Sequence, residues 1–146
     1  MAATLDGGEG DDTIRGGPGR DTLLGNMGND TLFGGAEQDQ IDGGDGDDEL
    51  HGNIGDDTLR GGNGDDVIFG GRANDVIEGN RGNDTLFGGD GEDLIHGNQG
   101  DDTIFGVGDA DVLHGDDGDD IIDGGCLLYT SPSPRDLSTS RMPSSA

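Results

Sequence analysis

Residues 79–105, GNRGNDTLFGGDGEDLIHGNQGDDTIF, are three nearly identical nonapeptides laid end to end. Each opens with glycine, carries aspartate at its sixth place and Ile or Leu at its eighth. Extended in both directions, the same frame holds for thirteen consecutive copies, Gly7 to Asp123, without insertion or deletion. Gly124 opens an unfinished fourteenth, and Thr4, Leu5 and Asp6 fit places seven to nine of an earlier one. Residues 1–6 therefore read as the end of an upstream repeat and 7–125 as one uninterrupted array. Self-similarity at a fixed short period decides architecture, because such units bury apolar surface only by stacking on their neighbours.

The constant positions have physical reasons. Glycine tolerates positive φ, so the Gly-rich first half of each unit is expected to bend tightly. A triplet such as Thr-Leu-Phe or Val-Ile-Phe then supplies β-favouring residues for a very short strand. Neighbouring strand residues point to opposite faces, which sends position eight inward and positions seven and nine outward. Two units complete one coil with two facing strands and a core one residue deep. Coils stack by parallel pairing at about 4.8 Å per layer. The expected fold class is all-β, a parallel solenoid.

Composition narrows the function. The first 125 residues hold 32 of the 33 acidic residues against five arginines, a net of −27. So much like charge with so little apolar residue is typical of a chain that stays disordered alone. Here, however, Ile or Leu keeps one fixed phase. The array contains no Cys, Ser, Lys, Tyr or Trp, which removes a disulfide framework and the usual nucleophiles. No catalytic residue is assigned and the segment is not expected to be an enzyme. Its acidity argues against nucleic acid. No apolar run is long enough for a membrane span, and no N-terminal secretory pattern is seen. Cations are the natural partner.

The nonapeptide, GGNGDDVIF at Gly61–Phe69 for example, resembles the RTX (repeats-in-toxin, haemolysin-type calcium-binding) repeat of secreted bacterial proteins. The resemblance covers about residues 4–125. It implies a parallel β-roll, a right-handed β-helix, with calcium held between successive turns on each side. The implied ligands are the position-six carboxylates: Asp12, Asp21, Asp30, Asp39, Asp48, Asp57, Asp66, Asp75, Asp84, Asp93, Asp102, Asp111 and Asp120. Turn carbonyls around Gly8, Gly10, Gly28, Gly44, Gly46, Gly62, Gly64, Gly82, Gly100 and Gly118 would complete the shells. Donor chemistry agrees, since oxygen-only ligands on bending backbone suit calcium, whereas zinc and copper want His or Cys. The stretch DGDDEL (45–50) lacks the spacing of an EF-hand, and no phosphate-loop pattern follows any glycine cluster.

Repeats n and n+2 share a side, which gives six gaps on the odd edge and five on the even, up to about eleven ions. Eleven divalent charges would reduce −27 to about −5. With so thin a core, an unfolded apo chain and a calcium-folded form are expected, cooperative between coils. The edges differ. Position four is glycine in every odd repeat, but three even repeats carry Glu37, Ala73 and Asp109, and Val107 replaces the second glycine of the twelfth. Weaker even-edge sites are the expectation.

Position nine places Phe33, Phe69, Phe87 and Phe105, with His51 between, in one row on one face. That row reads either as a self-stacking ladder or as a docking stripe for a neighbouring domain of the parent chain. His96 and His114 occupy position nine on adjacent coils of the other face and read as surface residues or as a transition-metal pair. An ice-binding face would need Thr at position three, where Glu9, Pro18 and Met27 stand.

From Cys126 the period and composition vanish. CLLYTSPSPRD and SRMPSSA resemble a translated sequencing-library adapter, so 126–146 is expected to be unstructured and non-native. The family resemblance further implies secretion through a one-step exporter and an extracellular location. The parent could be toxin-, haemolysin- or secreted-enzyme-like, or an adhesin or surface-layer protein. The segment alone does not choose between them, nor does it fix an oligomeric state.

Overall fold

The computed structural model describes residues 1–125 together with the backbone of 127–130 and 140–141. The array winds into two facing parallel sheets. One contains β1 (Thr4–Glu9), β3 (Thr22–Met27), β5 (Gln40–Asp45), β7 (Thr58–Asn63), β9 (Val76–Arg81), β11 (Leu94–Gln99) and β13 (Ala110–Asp117). The other contains β2 (Thr13–Pro18), β4 (Thr31–Ala36), β6 (Glu49–Ile54), β8 (Val67–Arg72), β10 (Thr85–Asp90), β12 (Thr103–Val107) and β14 (Ile121–Asp123). Each strand pairs with the one two elements on at a register of eighteen residues, as in Thr85↔Thr103. The parallel solenoid read from the period, and the β-roll that the resemblance implies, is thus the fold. No helix among the described residues is long and apolar enough to cross a membrane.

The strands are longer than the triplets suggest. Most run six residues, from position seven through position three of the next unit, and the register pairs positions seven to nine and two to three, passing over the first glycine. Position-one glycines are ordinary strand residues; the left-handed backbone falls instead at positions two and four, as at Gly62 (φ 119°) and Gly64 (φ 130°). The chain therefore turns twice per unit, once at position two within the strand and again in the corner at positions four to six. Asn26, Asn53, Asn80 and Asn98 adopt φ of 76–82° at position two, which asparagine tolerates. Val107 does so at 84°, an unfavourable conformation for a β-branched side chain.

Position eight forms the core. Thirteen aliphatic side chains, Ile14 through Ile122, stack in two files between the sheets, with Leu23, Leu59 and Leu86 completely buried. On the outer face of the second sheet, Phe33, His51, Phe69, Phe87 and Phe105 stack ring on ring at 4.7–5.0 Å, within 10° of parallel. The Arg15 guanidinium caps the row 4.3 Å from the Phe33 centroid. Stacking of aromatic pairs contributes about 0.5–1.5 kcal/mol beyond burial. Phe87→Ala breaks two such contacts and is expected to cost about 1–3 kcal/mol. Leu24→Ala is the comparison, because Leu24 lies in register with Asp6 and Asp42. Thermal melts in saturating calcium should show the larger drop for Phe87→Ala.

Within 126–146, the described residues form two short edge strands. β15 (Leu127–Thr130) adds to β13, and β16 (Ser140–Arg141) adds to β14. The β13–β15 register slips to seventeen residues, as in Ala110↔Leu127, which marks where the nonapeptide frame stops. The rest of 126–146 lies outside the described residues.

Candidate metal centre

The corners carry the carboxylates. From Asp21 to Asp120 the position-six side chains are 0–2 % exposed, an unusual burial for an acid. One oxygen of each carboxylate is fixed by the fold: the backbone N–H of position six donates to Oδ1 of the aspartate on the next coil. Asp12 N–H bonds Asp30 Oδ1 at 2.7 Å, Asp48 N–H bonds Asp66 at 2.8 Å, and Asp84 N–H bonds Asp102 at 2.8 Å. Six such links run up the odd edge and five up the even edge, one in every inter-coil gap counted from the sequence.

The second oxygen is different. Oδ2 of Asp12, of each position-six aspartate onward to Asp93, and of Asp111 is buried with no hydrogen-bond partner. It sits beside the inward side of its own position-one glycine. A Cβ on Gly7 would lie 2.8 Å from Asp12 Oδ2 and 3.0 Å from the Gly25 carbonyl oxygen; Gly16 and Gly34 are walled in the same way. The invariant first glycine is thus explained by the room a carboxylate and a carbonyl need, and not by left-handed backbone. The carbonyls singled out at positions two and four point along the stack. Those of Gly10, Gly28, Gly46, Gly64 and Gly82 face the next position-four glycine, and that of Gly44 faces Gly62. The carbonyl of Gly100 faces Gly118, whereas a Cβ on Gly8, in the edge strand β1, would meet nothing within 4 Å.

Burial has an electrostatic consequence. Desolvation, reinforced by carboxylates on adjacent coils and opposed by the backbone N–H bond, pushes Asp66 and Asp75 up to about 8 and Asp84 to about 7. Asp48, Asp57 and Asp93 rise to about 6 for the same reasons, and Asp39 and Asp111 are also raised. A file of buried carboxylates, with idle oxygens from Asp12 to Asp93 and at Asp111 beside main-chain carbonyls, fits a hard divalent cation.

A second ladder was not anticipated. On the odd edge, position five is Asp or Asn in all seven repeats: Asp11, Asn29, Asp47, Asp65, Asn83, Asp101 and Asp119. Each Oδ1 from Asp11 to Asp101 accepts the position-five N–H of the following coil at 2.8–3.0 Å, opposite in sense to the position-six ladder. On the even edge such bonds join Asp56, Asn74 and Glu92, while Arg20, Gln38 and Ala110 occupy the other position-five places. The signal appears in the sequence only when columns are read every eighteen residues.

The edges differ at position four as well. Glu37 and Ala73 keep left-handed backbone, at φ 75° and 83°, against 102–144° for the glycines there. Among the described residues, the position-four N–H reaches the position-three carbonyl of the next coil in all six odd-edge gaps. On the even edge it does so only at Gly19 and Gly55. In the altered twelfth repeat, Gly108 N–H turns back to the Gly89 carbonyl at 2.8 Å.

Fold and corners together define a class: a nonapeptide β-roll whose two edges are lined with buried carboxylates. The model of the RTX calcium-binding nonapeptide repeat (four copies) matches residues 6–41, 24–59, 42–77, 69–104 and 96–125. The chain belongs to the RTX calcium-binding nonapeptide repeat family, and the roll is a structural calcium-binding module. No curated protein matches it.

Proposed function

We propose that calcium drives this segment to fold outside the cell, as a module of a secreted protein. In this reading the position-six carboxylates Asp12 through Asp120 and the turn carbonyls hold up to about eleven ions between coils. The observation that carries it is the row of buried Oδ2 atoms without a hydrogen-bond partner on both edges, from Asp12 to Asp93 and at Asp111. Such groups cost free energy in the folded state unless something absent from the polypeptide neutralises them. Calcium supplies that countercharge, so its binding energy becomes folding energy. A chain of this composition stays open in calcium-poor cytosol, suits export unfolded, and closes in calcium-rich surroundings. The family is typical of secreted bacterial proteins, which supports that setting.

Calcium added to chelated protein at neutral pH should produce sheet circular dichroism in one cooperative transition, with a midpoint on the order of 10⁻⁴–10⁻³ M. Equilibrium dialysis should count the ions. A flat spectrum through about 10 mM, well above that range, would overturn the proposal. The odd edge, with its complete position-four and position-five ladders, should fill first. Anomalous scattering at sub-saturating calcium should show higher occupancy there, and equal occupancy on both edges would refute that difference.

A further inference from the structure

We propose that His96, His114 and Asp116 form a site for one divalent transition-metal ion of the imidazole-preferring class, such as zinc or nickel. The site lies on the outer face of the first sheet, away from the corners that carry the carboxylate ladders.

The fold brings the donors together. His96 on β11 and His114 on β13 are register partners, and their rings stack at 4.5 Å and 8°. Asp116 lies two residues past His114 and reaches back twenty residues, placing Oδ2 3.1 Å from His96 Nδ1. That reach is a property of the coil, since Asn26 Nδ2 makes the same twenty-residue contact to Asp6 Oδ1 at 2.6 Å. What is particular here is the chemistry. Across the thirteen repeats position two is otherwise Gly, Asn or Val, and its one aspartate stands beside the one pair of histidines on adjacent coils. Asp116 accepts a left-handed φ of 70° to be there.

One donor atom from each residue can be chosen so that all three lie within 4.8 Å of one another, and none of the residues is fully exposed. Bonds of about 2.0–2.2 Å to a tetrahedral ion place ligand atoms about 3.4 Å apart. The His96–Asp116 pair, at 3.1 Å, is close to that spacing, and a His114 ring nitrogen lies within 4.8 Å of a donor atom on each. Two imidazoles and a carboxylate leave one position for water, the composition of an open zinc site. Calcium prefers oxygen donors and does not compete for the imidazoles. The roll thus separates two classes of cation, one at its edges and one on a face.

The inference rests on a folded roll, so the test uses the full chain in saturating calcium, with circular dichroism checking the fold. Cys126→Ser removes the one thiol. Zinc chloride is titrated by calorimetry, and cobalt(II) reports coordination by its visible absorption. One equivalent should bind, weakened at least ten-fold by His114→Gln and by Asp116→Asn, the latter a residue that position two already uses. His51→Gln should leave binding unchanged. Equal zinc affinity in parent, His114→Gln and Asp116→Asn, or zinc uptake only by displacement of calcium, would overturn the assignment. In either case an unchanged sheet spectrum separates loss of the site from loss of the calcium-dependent fold.

Discussion

In chelator, the chain is expected to lack sheet near pH 8 and to gain it on acidification to about pH 4, with no metal present. Asp66 and Asp75 titrate at about 8 and Asp84 at about 7 in the roll, raised first by burial and then by neighbouring carboxylates. An unfolded aspartate titrates near 3.9. The folded state therefore binds more protons. The stability this contributes is fully present below about pH 4 and is lost as pH rises through roughly 6 to 8. Protons here stand in for the missing cation by neutralising the idle oxygens. With calcium present the sign reverses, because ligand carboxylates must be ionised and acid competes with the metal. Far-UV circular dichroism at both pH values, with light scattering to detect association, tests this. An apo roll as well formed at pH 8 as at pH 4 would contradict it.

The second large effect separates two adjacent glycines. Gly61→Ala introduces a methyl where Asp66 Oδ2 and the Gly79 carbonyl already converge. Neither can retreat cheaply, since the carboxylate is anchored through Oδ1 and the carbonyl belongs to the next strand. Overpacking alone costs about 1–3 kcal/mol, and a displaced buried carboxylate adds to it. The calcium midpoint should rise ten-fold or more, or folding should fail. Gly62→Asn, one residue on, should be milder: at φ 119° its Cβ would press on the Gly44 carbonyl, but the backbone can turn to the φ of 80° and 82° at which Asn53 and Asn80 hold the same position. A calcium titration of both variants decides the matter. A silent Gly61→Ala, or a more damaging Gly62→Asn, would be the wrong result.

Much of this was legible in the period. Ile or Leu at every eighth place fixed the inward face, and the core is those thirteen side chains. The six and five inter-coil gaps reappear as eleven aspartate links between backbone and carboxylate. Other features escaped because a nine-residue frame hides them. The position-five ladder from Asp11 to Asp119 is complete on one edge only, so a frame that averages both edges blurs it. From a one-letter code, a glycine needed for φ and a glycine needed for inward space look alike at position one; the Gly25 carbonyl beside Gly7 settles which applies. The tolerance of Glu37 and Ala73 for left-handed backbone is likewise visible only as a dihedral angle.

Small-angle scattering after exhaustive chelation at neutral pH tests most directly whether buried carboxylates forbid the roll without a cation. The 146-residue chain should expand to a radius of gyration of about 40 Å and return to about 15 Å when calcium is restored. A compact, protease-resistant particle in chelator would show that the one-residue core closes unaided.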